Sequence, residues 1–175
     1  MARQPDSVTP TRPPNLTHAP IGGVVVFNIG MTIHKPWRPD LWLPVAAEMP
    51  RMLAELQRNR AASERGEAED LGFLSAENLL GPKGPWVVQY WKSVEHLYQY
   101  ARMTSRAHMP AWERFNAAAR KNPGAVGIWH EAFEVPASGI ETFYGNGAEV
   151  GLAKAAGSAP LASRGRTARE RLGRA

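Results

Sequence analysis

Cysteine is absent from the 175 residues. This excludes disulfides, thiolate nucleophiles and cysteine-ligated metal. Long apolar runs are missing too. Nothing approaches the roughly 20 residues that span a bilayer, and the N-terminus lacks the apolar stretch of a signal peptide, so the chain reads as cytoplasmic. Motifs with phosphate or metal mechanics are also lacking: there is no HExxH, carboxylate-rich cluster, P-loop or GxGxxG. Gly30, Gly127 and the Gly145-Asn146-Gly147 triplet read as turn or packing glycines.

The formal charge of +5 sits at one end. From Lys154 onward six basic residues (Lys154, Arg164, Arg166, Arg169, Arg171, Arg174) face one acid, Glu170, leaving fifteen basic and fifteen acidic residues before them. A neutral body argues against a nucleic-acid surface despite the six tryptophans, because base stacking needs a basic face interleaved with the rings. Trp42, Trp112 and one of Trp86 or Trp91 are expected in the core instead. The basic tail is expected to be solvated, with weak, salt-sensitive attraction to anions as its main effect.

Residues 1–20 hold five prolines and no aromatics, which predicts a disordered lead over 1–21. Residues 153–175 are rich in Ala, Gly, Ser and Arg without an apolar stripe, which predicts a disordered basic tail. One folded domain is expected over 22–152, a length that can bury a core of its own.

Within it, GVVVFNIGMTIH alternates at period two. Val25, Phe27, Ile29, Met31 and Ile33 share one face; Val24, Val26, Asn28, Gly30, Thr32 and His34 share the other. A helix follows from Pro39, with Asp40 in its first turn and Trp42, Val45, Met49, Leu53 and Leu56 on its inner stripe. Pro50 lacks the donor to residue 46 and is expected to kink it. Arg51 and Glu55 are expected to pair on the outside. A strand over 71–80, the turn Gly81-Pro82-Lys83-Gly84-Pro85 and a strand over 86–91 make a hairpin. Ser93 caps the next helix, whose buried stripe is Val94, Leu97, Tyr98 and Ala101. After a break over Thr104 to Ala107 a second segment starts near Pro110, with Trp112, Phe115 and Ala119 inward. A last strand runs over 125–135.

The order βαββαβ is the ferredoxin-like α+β topology, a four-stranded antiparallel sheet with helices on one face. Its other face must be buried. A homodimer pressing two sheets into a barrel around a small-molecule cavity is the expected solution, with 140–152 wrapping the partner or closing the cavity.

Among the histidines, His18 lies in the lead and His96 is expected to face solvent. His108 stands at the mouth of a helix, where free amides and the positive dipole end favour a neutral ring, the form suited to a general base or to iron. The alternative is a buried His bonded to a backbone carbonyl. Asn28, polar in an apolar strand, either binds a ligand in the cavity or sits at an exposed edge. His130 and Glu131 point to opposite faces, so only one can line a cavity.

The stretches VVVFNIGMTIHKPWRPDLWLPVAAEMPRML, VVQYWKS, AHMPAWERFN, AVGIWHEAF and YGN resemble domain-of-unknown-function family 4188, a monooxygenase-like group, over about residues 22–152. That family is similar in fold to dimeric α+β barrel proteins: antibiotic-biosynthesis and haem-degrading monooxygenases, chlorite-dismutase relatives and aldoxime dehydratases. The resemblance implies an oxygenase acting on an apolar or aromatic substrate. By analogy with the haem-degrading members, Asn28 matches a first-strand Asn, Tyr100 stands where they carry Trp, and His108 matches the His that ligates iron. The Tyr-for-Trp exchange and a shorter spacing to His108 depart from that pattern. The resemblance leaves the cofactor open between haem at His108 and none. In a cofactor-free version His108 or His130 deprotonates the substrate and Asn28 holds it. The other readings are a non-catalytic ligand-binding or assembly module, and an aldoxime-dehydratase-like haem lyase.

Overall fold

The computed structural model describes residues 13–103 and 106–173. In chain order its elements are β1 (Leu16–His18), β2 (Gly23–Ile33), α1 (Pro39–Ala46), α2 (Glu48–Glu64), β3 (Phe73–Gly81), β4 (Gly84–Trp91), α3 (Val94–Arg102), α4 (His108–Lys121), β5 (Val126–Pro136), α5 (Leu152–Ala156), β6 (Ser158–Pro160) and α6 (Ala168–Arg171). Thr104 and most of the expected lead lie outside the described residues.

Strands β3-β4-β2-β5 form an antiparallel sheet in that order. With helices between β2 and β3 and between β4 and β5, this is the expected ferredoxin-like α+β fold. Residues opposite each other in an antiparallel pair share a face. Val25 pairs with Trp91, and Phe27 with Gln89 and Ala132. Asn28 pairs with Val88 and Glu131, and Gly30 with Trp86 and Trp129. The odd-numbered residues of β2 therefore share a face with Trp91, Gln89 and His130, and the even-numbered ones with Val88, Trp129 and Glu131.

The odd face carries the main core. Val25, Val87, Trp91, Phe73 and Ala76 pack against Leu53 and Leu56 of α2 and Leu97 and Tyr100 of α3. Val25, Trp91 and Leu56 are each 1 % exposed, and Phe73 meets Trp91 edge-on at 5.4 Å. Burial of one such side chain contributes about 1.5–3 kcal/mol. The helix break falls between Ala46 and Glu48, where the ring of Pro50 would crowd the carbonyl of residue 46.

Three helical expectations are corrected. Tyr98 is 53 % exposed and Tyr100 is buried, because the inward residues of α3, Leu97 and Tyr100, are one turn apart and Tyr98 points away from both. Trp112 is 47 % exposed and stacks on Phe115 at 5.8 Å; only Ala111 of α4 is buried. Arg51 pairs with Glu48 at 3.3 Å, so Glu55 is free to turn elsewhere.

The even face corrects the domain boundaries. Its Val24 end is covered by this chain's own C-terminal segment: Ile140, Leu152 and Ala155 pack with Val24, Val26, Leu74 and Tyr90. Strand β6, in the expected tail, pairs with β1, in the expected lead. Small residues suffice here because α5 lies close to the sheet, and its Lys154 reaches the Ala76 carbonyl at 3.2 Å. The tail's charge is partly internal: Lys154 pairs with Glu77, and the Arg171 Nε donates to Glu141 at 2.8 Å. The remainder of the even face, around Asn28, Trp86 and Trp129, lies outside this cover.

His18, set aside in the sequence, is 2 % exposed. Its Nε2 faces Arg164 Nη1 at 2.9 Å and its Nδ1 faces Thr142 Oγ1 at 2.9 Å. A guanidinium only donates, so Nε2 accepts and the proton sits on Nδ1. Thr142 Oγ1 also accepts the His18 amide at 3.0 Å and meets Thr17 Oγ1 at 3.1 Å. Burial, then the Arg164 charge, lowers the His18 pKa; Glu141 opposes them. The unfolded chain takes up this proton near pH 6.5 and the native state resists it, so stability is full above about 6.5 and falls below it by up to about 1.4 kcal/mol per pH unit. Melting temperature followed from pH 8 to pH 5 should drop below that value, and the drop should shrink in His18→Gln.

Candidate active site

Ser93 Oγ accepts the His96 amide at 3.4 Å and starts α3. Two turns on, Tyr100 lies against Trp91, ring centroids 5.8 Å apart. The chain then turns, and α4 opens with His108, its imidazole 6.3 Å from the Tyr100 ring. The Tyr100 hydroxyl and His108 Nδ1 are both buried and, among the described residues, without a hydrogen-bond partner. Each such group costs about 1–3 kcal/mol, and two on adjacent rings mark a place where the fold leaves polar capacity unused. Burial, then the negative charge of Glu55, pushes the Tyr100 phenol well above the usual tyrosine range, with Arg106 opposing. At neutral pH the phenol is thus a hydrogen-bond donor.

The surroundings are ordered. Trp91 Nε1 donates to Gln89 Oε1 at 2.9 Å, and the Gln89 amide approaches Met49 Sδ at 3.9 Å. The Glu55 carboxylate accepts the Ala107 amide at 2.9 Å and Arg106 Nη1 at 3.3 Å. Gln89 could have been found in the sequence, since it is the polar member of the inward row Val87, Gln89, Trp91. Glu55 had no such signal, because its partners lie more than 50 residues away and arrive through the turn before α4.

The four residues singled out in the sequence do not converge. Tyr100 and His108 stand together on the helix side. His130 is on the same face of the sheet but exposed, its ring 5.6 Å from Phe27. Asn28 points to the opposite face, beside Val88 and Glu131, with Oδ1 buried and without a partner among the described residues. A haem held by His108 and contacted by Asn28 would have to occupy both sides of the sheet, so these residues do not fit that group. Among the described residues no cluster of three or more His, Asp or Glu side chains could hold a metal. Likewise, no helix among them is long and apolar enough to cross a membrane.

Two surface depressions border these elements. One, of about 330 Å³, lies between α1 and α4 and is lined by residues including Leu41, Pro44, Val45 and Phe115. The other follows the start of β2 and the end of β5, lined in part by Ile21, Val24 and Val135. Neither is lined by Tyr100, His108 or Asn28.

Residues 24–152 match the family described as Monooxygenase af470-like, and the chain belongs to that family. The expected monooxygenase-like grouping therefore holds, while the family-4188 label does not come with it. A curated relative, Monooxygenase af470 of Aspergillus fumigatus, is 27 % identical over 130 residues, covering 71 % of this chain. The aligned part is 43 % of that protein, so the chain spans less than half of its relative. Among solved structures, SnoaB, a cofactor-independent oxygenase from Streptomyces nogalater, is similar at 14 % identity and a TM-score of 0.41, over 63 % of this chain and 91 % of its own. A dimeric protein of unknown function and ferredoxin-like fold from Bacteroides fragilis is similar at 10 % identity and a TM-score of 0.38, over 63 % and 96 %. Likeness this distant leaves the architecture to be read from the chain's own strands.

An unpartnered buried hydroxyl contributes nothing to the fold. Tyr100→Phe should keep the ring contacts and leave the melting temperature unchanged or higher, as calorimetry would show, whereas Tyr100→Ala should cost about 3–5 kcal/mol.

Proposed function

We propose that this member of the af470-like monooxygenases is a cofactor-free oxygenase of electron-rich aromatic or apolar small molecules, with Tyr100 and His108 as its reacting pair. The observation that carries the reading is the pair of buried polar atoms on neighbouring rings that lack a hydrogen-bond partner among the described residues. Family membership supplies the reaction class.

In this reading a neutral His108 accepts through Nδ1 a proton from a substrate methylene activated by a flanking phenol or carbonyl. Tyr100, kept protonated, donates to the substrate oxygen on which the negative charge collects. The carbanion passes an electron to dioxygen, the resulting radicals join through a new C–O bond, and the peroxide loses water to leave a ketone. One CH₂ and one O₂ become one C=O and one H₂O, so no outside reductant is needed. The apolar wall of Trp91, Met49 and Phe27 keeps water from the carbanion. His130, exposed beyond Phe27, is the weaker base candidate. Asn28 belongs to the other face, where we place a second copy of the chain, covering Val88, Trp129 and the half-exposed Phe133 and completing the barrel.

Purified protein should consume oxygen with polyhydroxylated, polyketide-like aromatics without added flavin, haem or metal. His108→Ala and Tyr100→Phe should each slow uptake by about 10²–10⁴-fold. Uptake equal in both variants and the parent would remove the assignment, as would a Soret band after haemin addition that His108→Ala abolishes. Size-exclusion mass tests the second copy.

A further inference from the structure

We propose that Glu55 is the positioning residue of the Tyr100–His108 pair, holding α4 in the place that brings the imidazole against the phenol. The inference rests on the reading of that pair as the reacting groups.

Among the described residues, none next to helix α4 caps its start with a side chain. Its N-cap residue is Ala107, which offers no side-chain oxygen, and its first turn holds no acid. Helices α3 and α6 are capped locally, by Ser93 and Thr167. In α4 the role falls to a carboxylate 52 residues earlier in the chain, the Glu55 Oε2 that accepts the Ala107 amide at 2.9 Å. Its other oxygen takes Arg106 Nη1 at 3.3 Å. The Glu55 side chain is only 18 % exposed, and its neighbours Leu53 and Leu56 are fixed in the core. The acceptor is therefore anchored to the main core, and it holds the amide one residue before His108.

A second clamp sets the register. Glu48 of α2 accepts both Arg114 Nε at 2.9 Å and Arg114 Nη2 at 2.7 Å, a bidentate pair. Glu48 and Glu55 are seven residues apart on α2, as are Ala107 and Arg114 at α4, and the pairs run in opposite directions. Seven residues are two helical turns, about 10.5 Å, so the two clamps match in pitch and α4 lies antiparallel to α2 with one allowed register. Ala111, midway between them, is the only residue of α4 that is buried. Apolar packing alone would let this helix slide; the two carboxylates hold it. Of the two, Glu55 acts at the His108 end, and its charge also reaches the Tyr100 phenol.

A plain helix cap and a positioning residue part company in Glu55→Gln. The amide oxygen can still accept from Ala107, so the melting temperature should stay near that of the parent, while the charge beside Tyr100 is gone. The tyrosinate absorbance of Tyr100, identified by its loss in Tyr100→Phe, should then rise at lower pH than in the parent. In Glu55→Ala the nuclear Overhauser contact between the Tyr100 and His108 rings should vanish and the Ala107 amide should exchange at least tenfold faster, with the ring contact of Tyr100 to Trp91 retained. Should Glu55→Ala fail to fold, the titration in Glu55→Gln decides alone. An unmoved Tyr100 titration, or a Tyr100–His108 contact that survives Glu55→Ala, overturns the proposal. All these readouts need folded protein and no turnover. Failure of oxygen uptake would thus remove the enzymatic reading while leaving the role of Glu55 in seating His108 measurable.

Discussion

The contact between Trp91 and the elements around it is the constraint from which the rest follows. Trp91 is 1 % exposed, pairs with Val25 across the sheet, meets Phe73 edge-on and lies under Tyr100. Its one polar atom is satisfied by Gln89, two residues back on the same face. A large ring with no freedom left is a reference surface: α3 is seated by laying Tyr100 on it, and α4 by laying His108 beside Tyr100. The Tyr100–His108 pair is thus built outward from the largest fully buried side chain among the described residues, and the polar atoms left without described partners lie at the outer end of that stack.

Much of the fold could be read from local pattern, because the governing signals are short-range. Alternation in GVVVFNIGMTI gives the central strand, the Gly-Pro-Lys-Gly-Pro turn gives the hairpin, and Ser93 marks the start of α3. Errors arise where a choice depends on distant partners. Tyr98 and Tyr100 are chemically alike, and only the position of Trp91 decides which turns inward. The spacing of Arg51 and Glu55 suits a pair, yet Ala107 and Arg106 compete for the carboxylate from beyond the next two strands. Asn28 is the more instructive case. The alternation already assigns it to the face opposite Phe27 and Ile29, and the apolar character of those residues already says which side the helices cover. Pairing Asn28 with His108 followed the family pattern against that parity.

The C-terminal segment shows how composition can mislead. Ala, Gly, Ser and Arg give no amphipathic stripe, but a five-residue helix resting flat on a sheet needs only small side chains. Lys154 and Arg171 answer particular acids and carbonyls, and His18 is sealed at the joint by Thr142 and Arg164. The sheet therefore carries two different covers: on one side helices around the Tyr100–His108 pair, on the other a strap that leaves part of the surface open.

On that open part Gly30 has a further consequence. A Cβ there would fall 2.6 Å from both the Trp129 ring and Trp86, so the glycine is what lets the two indoles close to 5.8 Å at a 41° tilt. Two identical chromophores at that separation share their excited states and give a split circular-dichroism band whose sign and size follow their mutual angle. This open part of the sheet thus carries its own optical gauge, which a molecule settling against the two indoles and changing their angle would move without a label being attached.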